Sequence, residues 1–518
     1  MRKVSCRRLT WLLLALFMMG LCLSAGCGRQ DHEPVTSLEQ LREPGRVIGV
    51  ALNSPEGAKI PLDFPEAEII PYNDAHFAYS DVANGRLDAF VYARRPMELA
   101  IESGTGGVRL LDGTYSRNTI AVGISPRSSV PDLTEKLNTF IAERKADGTL
   151  DEMYDRWVLQ GVETMPEIPR PENPSLHLRV ATVGTLAPYT YFVGTELNGY
   201  DIELAYRFAA WLDAGVEFRI YDFGGIIAAA QSGDVDCIMS NLYYTPEHNE
   251  AIPFSDPLFE VENTAMVRAL GDPGAMSDGA SFRDSIRESF QKTFIREDRW
   301  QLFLAGIGTT LLITALSIPL GTVLGFGVFM LCRNGNPAAN AVTRFCVWLV
   351  QGMPAVVLLM ILYYIIFGKV SIPGTAVAVI GFTLVFGASM YSMLRAGVGA
   401  IDGGQLEAAY SLGYTNRRAF FRVILPQALP HFMPAYKAEI TALIKATAIV
   451  GYVAVQDLTK MGDIVRSRTY EAFFPLIAVA IIYFILAAAL KAVVNRIELR
   501  LDPRLRKPED IRKEVEGR

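Results

Sequence analysis

Five long apolar runs, at about 302–331, 342–367, 373–397, 431–455 and 472–494, fill the C-terminal part of the chain. Each is near the roughly 20 residues a helix needs to cross a bilayer. The pattern before them is different. From Leu38 to about Leu270 short apolar runs alternate with amphipathic stretches, the rhythm of an α/β domain. "VIGVA" (47–51), "LDAFVY" (87–92), "LHLRVATV" (176–183) and "VDCIMS" (235–240) predict strands. "PDLTEKLNTFIAERKADG" (131–148) predicts a helix with Leu133, Leu137, Phe140 and Ile141 on one face and Gly148 at its end. "TLDEMYDRWV" (149–158) predicts a second, with Leu150, Met153, Tyr154 and Trp157 on one side. Just before the first apolar run, residues 281–300 space Phe282, Ile286 and Phe290 four apart, as in a helix lying on a membrane surface.

The orientation comes from the N-terminus. Arg2, Lys3, Arg7 and Arg8 precede the apolar stretch from Trp11 to Leu23, which predicts an export signal over 1–27. Ser24-Ala25-Gly26-Cys27 resembles a bacterial lipoprotein cleavage site with Cys27 as the lipidated residue, although Ser24 stands where such sites carry Leu. An ordinary signal and an uncleaved anchor remain open. Residues 28–36 read as a tether, and the α/β domain beyond it lies outside the cytoplasm. With residue 300 outside, the five runs place Arg333, Arg344, the 398–430 stretch and the Arg-rich end inside, as the positive-inside rule expects. The outer connections are then 368–372 and 456–471.

Composition removes several classes. The net charge of −6 gives no reason to expect nucleic acid. Of six Cys, Cys6 and Cys22 fall in the signal, Cys332 and Cys346 lie in or beside the membrane, and Cys237 is alone in the exported part, so no disulfide framework is implied. Nothing has metal-ligand spacing, and this chain calls for no cofactor of its own. There is no G-x-x-x-x-G-K-[ST] phosphate loop, nor a nucleophile–base constellation.

The exported part contains an echo. Residues 72–92 and 221–240 each run Tyr, Asp, a small-residue helix, Gly-x-(Leu/Val)-Asp and a strand. Two such units suggest two similar lobes with a pocket between them. The inner stretch "GQLEAAYSLGYTNRRAFFRVILPQA" (404–428) is the other unusual segment. Gln405 to Leu412 predicts a short helix ended at Gly413. Thr415 caps a second that stops before Pro426. Ala409 with Leu412, and Phe420 with Ile424, give each an apolar face too short to span, which calls for a groove to lie in.

Two resemblances organise these observations. The spacing Glu-Ala-Ala-x3-Gly-x9-Val-x-Leu-Pro in 404–428 resembles the coupling motif of ABC importer permeases. It implies docking of separate ATPase subunits, carrying ATP and Mg, through Glu407, Ala408, Ala409, Gly413, Leu425 and Pro426. Glu407 would be a polar anchor and Gly413 the turn. It also implies a second permease chain, in a homodimer, to enclose a pathway. "GMPAVVLLMILYYIIFG" (352–368) resembles another permease segment, with Gln351 in place of an Arg, while Ser392 replaces a Glu near Arg395. Arg395 and Lys445 are candidates for lining the pathway.

In the exported half, 178–259 and 46–158 resemble the N- and C-terminal parts of the solute-binding proteins of polar amino-acid ABC importers, in inverted order. The Pro-rich linker "VETMPEIPRPENP" (162–174) joins them, as in a circular permutation. The implied fold is multi-domain: an exported, two-lobed α/β domain like the periplasmic binding proteins, followed by an all-α five-span permease domain. Residues 37–270 would form the former, with its second lobe about 37–120 and its first about 121–160 and 178–264. A linker and interfacial helix (271–300), the permease domain (301–500) and a cytoplasmic tail (501–518) complete the chain.

The implied pocket departs from the family. Candidate ligand-binding residues are Tyr189, Tyr191 and Phe223 as aromatic walls, Asn241, Tyr243 and His248 where the family grips a carboxylate, and Ser54 in the anion turn. Arg94 follows Ala93 where the family carries an Asp. Loss of that acid and gain of Arg94 favour a more anionic solute than an α-amino acid; a degenerate, non-binding domain is the alternative. The chain thus reads as the binding and permease subunit of an uptake transporter for a small polar, amino-acid-like solute in the inner (plasma) membrane. The competing reading is a membrane-anchored solute sensor that does not transport.

Overall fold

The computed structural model describes residues 33–269 and 282–501, apart from positions 53, 73, 334, 336, 369, 371 and 472. The expected signal with Cys27, most of the tether, the start of the 271–300 linker and the tail lie outside the described residues.

Two larger sheets and a small three-stranded one (Thr185–Leu186, Thr190–Val193, Glu196–Asn198) build the N-terminal half. In the six-stranded sheet, Val47–Ala51 pairs in parallel with Glu68–Tyr72 and Ala89–Ala93. The long strand Phe259–Arg268 then pairs antiparallel with Ala89–Ala93, Val108–Leu110 and Ser116–Ile120. The four-stranded sheet orders Gly215–Ile220, His177–Thr182, Cys237–Ile238 and Gly123–Ile124. The chain therefore begins in the six-stranded lobe, crosses at 120–123, builds the four-stranded lobe, and returns through Phe259–Arg268. The stretch expected to close the first lobe, 178–264, ends inside that returning strand. By sheet membership residues from Phe259 belong with 37–120, because their backbone groups find partners there on three strands.

The two segments of the four-stranded lobe share one core. Leu133, Leu137, Phe140, Leu150, Met153 and Trp157 pack with Leu178, Val180, Leu204 and Phe208. The predicted helices appear as Leu133–Ala146 and Thr149–Tyr154, the latter continued by a wide turn over Asp155–Leu159. Glu203, fully buried, seals the junction. It pairs with Arg156 at 2.8 Å and Arg207 at 2.7 Å, and accepts from Trp157 Nε1. A carboxylate at that depth is tolerable only because it is paired and hydrogen-bonded.

The C-terminal half is a helical bundle. Among the described residues Trp300–Arg333, Gly374–Gly399 and the helix from Phe474 are each long and apolar enough to cross a membrane, and the number rises to five if each of two bent helix pairs forms one span. Small residues allow close approach: a Cβ on Gly325 would lie 2.4 Å from the Gly387 carbonyl oxygen, so the first and third spans meet backbone to backbone. The run 342–367 is divided into Pro337–Gly352 and Ala355–Ile366, bent by 110°. Pro354 explains the break: it has no N–H and its φ is fixed, at −57° here.

The lobes rest on one end of this bundle. Tyr221 and Ile226 share a core with Leu358, Leu362, Val450 and Val453. Tyr363 donates to Asp234 at 2.7 Å, and Tyr364 donates to the carbonyls of Gly225 and Tyr452.

Candidate functional site

A cavity of about 540 Å³ lies where the two lobes and the bundle meet. The six-stranded lobe lines it with Ser54, Tyr72, Asp74, His76, Tyr79 and Tyr92. The four-stranded lobe adds Asp222, Phe223, Asn241 and Tyr243. The bundle supplies Tyr452, Lys460, Asp463, Arg466 and Tyr470. Most of these last belong to Leu458–Thr469, a 12-residue helix started by Asp457, whose carboxylate accepts from the Thr459 and Lys460 N–H groups.

That helix engages both lobes. Asp74 opens the helix Ala75–Ala83, and Asp222 stands at the N-cap of Phe223–Ser232. These are the matching acids of the repeated sequence pattern. Lys460 Nζ lies 2.9 Å from Asp222 Oδ1 and donates to the Tyr221 carbonyl at 2.9 Å. Six residues on, the Arg466 guanidinium pairs with Asp74 Oδ2 and reaches Asp463 Oδ1 at 2.9 Å. Arg468 binds Glu163 in the linker and Glu297 before the first span. Burial by itself would raise the Asp74 pKa, but His76, 2.7 Å away, and Arg466 hold that carboxyl well below the usual range.

The candidate binding residues do not all meet here. Ser54, Phe223, Asn241 and Tyr243 line the cavity. Tyr189 instead stacks on Phe259 at 5.9 Å in the core, and Tyr191 packs edge-on against Trp157. Arg94 donates to the Gly113 carbonyl at 2.6 Å and approaches Glu262. It is committed away from the cavity, so the cation expected to favour an anionic solute is not there to do so. His248 belongs to Pro246–Ala251, but its side chain lies outside the described residues. Asp74, His76 and the cations of Leu458–Thr469 are cavity residues that the sequence reading missed. The signal was present: Asp457, Lys460, Asp463 and Arg466 recur every three residues, near one face of a helix.

Asn241 is held at φ 47° with its N–H donating to Asp201 Oδ2 at 2.7 Å. Burial pushes the Asp201 carboxyl from 3.8 up to about 7, opposed by that one hydrogen bond. The folded state then holds a proton that the unfolded chain releases. The neutral group favours folding fully below about pH 4, and that advantage is lost as pH rises towards 7, by about 4 kcal/mol in all. Melting curves of the full chain between pH 4 and 7 are expected to show this fall, and Asp201→Asn to flatten it. Equal slopes for the two proteins would contradict the assignment.

At the opposite end of the bundle lies the 404–428 element. Asp402 caps Gly403–Ser411, Gly413 turns at φ 80°, and Thr415 caps Asn416–Ala419. Ala409, Ala419, Phe420 and Ile424 are buried against the bundle, with Phe420 stacked on Phe329 and under Arg333. Glu407, Ala408, Arg417 and Arg418 are exposed, and Leu412 is 78% exposed. Leu412 therefore does not share a buried face with Ala409; it comes after the last helical residue, where the turn at Gly413 throws it outward. The second helix also does not stop before Pro426. It passes through a wide turn, Phe420–Ile424, into Leu425–Ala446. Leu425 and Pro426 open that last segment, and Pro is tolerated in a first turn, where its missing N–H costs nothing.

Arg395 and Lys445 sit at opposite ends. Arg395 lines a cavity of about 540 Å³ with Arg333 and Arg344 on the 404–428 side. Lys445 lies exposed in the last turn of Leu425–Ala446, the end away from the elbow. Gln351 and Ser392, the two positions that depart from the charged family pattern, contact one another at 3.4 Å.

Comparison with known proteins bears on the bundle. Residues 294–507 match the model for binding-protein-dependent transport system inner membrane components. A Rickettsia bellii permease protein named for glutamine transport, GlnP, is 33% identical over 195 residues, covering 37% of this chain and 89% of its own. The L-cystine transport system permease protein TcyB of Bacillus subtilis is 30% identical over 210 residues, 40% of this chain and 90% of its own. A crystal structure of an amino acid ABC transporter with histidines aligns at 29% identity and a TM-score of 0.37, over 43% of this chain and 99% of its own. The chain belongs to the family of binding-protein-dependent transport system inner membrane components.

Proposed function

We propose that this chain is the fused solute-binding and permease subunit of an ABC uptake transporter, driven by ATPase subunits that carry ATP and Mg. Two copies of the chain enclose the pathway in the plasma membrane, with the lobes outside and 404–428 inside. The lobes form one solute-binding domain whose segments are circularly permuted: helices from 133–159 and strands from 177 onward complete a single core across the 162–174 linker. The solute, small, polar and amino-acid-like, sits in the 540 Å³ cavity, a size suited to such a ligand.

The continuity of one helix carries this reading. The second arm of the elbow, from Asn416, runs without a break in helix through Phe420–Ile424 into Leu425–Ala446, and the turn that follows it lines the cavity with Tyr452. That turn is Thr447–Val453, and the Gly451 carbonyl accepts from the Asp222 N–H at 3.1 Å. The 22 residues of that helix make a rod of about 33 Å. ATPase closure at the elbow would displace the rod and so the cavity wall. The solute biases this cycle only as far as it binds the states differently.

Purification of the chain with its native partners tests the proposal. The expected result is ATPase subunits that copurify and, in liposomes, hydrolyse ATP faster with solute. A preparation that binds solute but retains no ATPase would favour the sensor reading.

A further inference from the structure

We propose that the solute site is completed by the permease half of the chain, with Asp463 and the binding-domain residue Asn241 receiving an ammonium group of the solute. This deepens the transport reading above and rests on it for the cavity's role.

The cavity has spare acceptors and no spare cation. Its charged lining residues are Asp74, Asp222, Asp463, Lys460 and Arg466, with His76 beside Asp74. Lys460 and Arg466 are both buried and both committed: Lys460 to Asp222 and the Tyr221 carbonyl, Arg466 to Asp74 and Asp463. Both charges are thus already balanced by carboxylates of the chain, which leaves an incoming carboxylate no unpaired cation. The N-terminus of Ala75–Ala83, where a solute anion would otherwise be welcome, already carries the chain's own carboxylate, Asp74, which accepts from the His76 N–H.

Two acceptors, by contrast, are unfilled. Asp463 shares Arg466 with Asp74, its side chain is 33% exposed, and its second oxygen has no hydrogen bond among the described residues. Asn241 is 4% exposed, and its Oδ1 is buried with no partner. An unmet acceptor at that depth is costly and calls for a donor. Three carboxylates face two permanent cations in the cavity, and the His76 ring is already engaged by Asp74. Aromatic rings of Tyr72, Tyr79, Tyr92 and Phe223 line the remaining wall and favour a cation over their faces. The class that fits is a small amine, with a carboxylate neither required nor accommodated by a free cation.

The test uses the full chain in lipid nanodiscs and equilibrium binding of putrescine, lysine and succinate. Putrescine and lysine are expected to bind, and succinate not to. Asp463→Asn should weaken both amines by about ten-fold or more, the loss of one charge-assisted hydrogen bond. Asp463→Glu, which keeps the charge, should restore most of it, and Asn241→Leu should weaken the amines as well. Binding of succinate in preference to the amines, absence of amine binding, or an Asp463→Asn affinity within about twofold of the parent would each overturn the assignment. Copurifying ATPase is read in the same preparations. Loss of amine binding with ATPase still attached removes this inference alone; amine binding without ATPase supports it and removes the transport reading.

Discussion

Solute accumulation falls by about ten-fold or more when Glu407→Arg is combined with Gly413→Val, while equilibrium binding of solute by the same protein is unchanged. Both changes act at the elbow and neither touches the bundle core. Glu407 is exposed on Gly403–Ser411, free to meet a partner. Gly413 stands at φ 80°, and an added Cβ would find nothing within 4 Å. The cost of Val there is conformational, about 1–2 kcal/mol for a left-handed residue with a side chain, and it re-aims the two helices relative to one another. Accumulation in liposomes loaded with ATPase and ATP, set beside solute binding, separates the two effects. Undiminished accumulation by the double variant would refute a mechanical role for the elbow.

Arg466→Glu is the second large effect. Its side chain is 7% exposed and lies between Asp74 and Asp463. Reversal gathers three carboxylates around a buried position. Breaking a buried pair by removing one partner costs about 3–5 kcal/mol, and the repulsion adds to that. The expected outcome is a lowered melting temperature, release of the six-stranded lobe from the bundle, and faster protease cleavage in the 162–174 linker. Adding Asp74→Arg restores the opposite charges and should recover part of the loss. A melting curve and cleavage rate equal to the parent's would show that the lobes are held by other contacts.

How far the sequence revealed this arrangement depended on whether a feature was local. Leu133, Leu137, Phe140 and Ile141 announced their helix because all four face one core. The caps at Asp402 and Thr415 bracket an elbow whose turn residue, Gly413, was legible for the same reason. Proline acts in two ways. Pro354 divides the run 342–367, while Pro426 leaves a helix whole. Where a turn begins decides between these outcomes, and composition does not report it. The expectation that the first lobe runs on to 264 fails from Phe259, because strand partners are chosen across the fold. Arg94 looked like a ligand group until the Gly113 carbonyl took it. Lys460, Arg466 and Arg468 read as a plain outer connection, yet each meets an acid brought from far away in the chain.

The lobes and the bundle they rest on are one polypeptide, continuous through Phe259–Arg268 and the helix from Trp300. A tethered receptor meets its channel at an effective concentration in the millimolar range, whatever the number of molecules in the cell. Docking therefore has no need of high intrinsic affinity, and the contacts with Lys460, Arg466 and Arg468 can break and re-form within each turnover. On the proposed function, receptor and channel are also fixed at one to one, so uptake would scale with the number of assembled complexes and would not be raised by secreting more receptor.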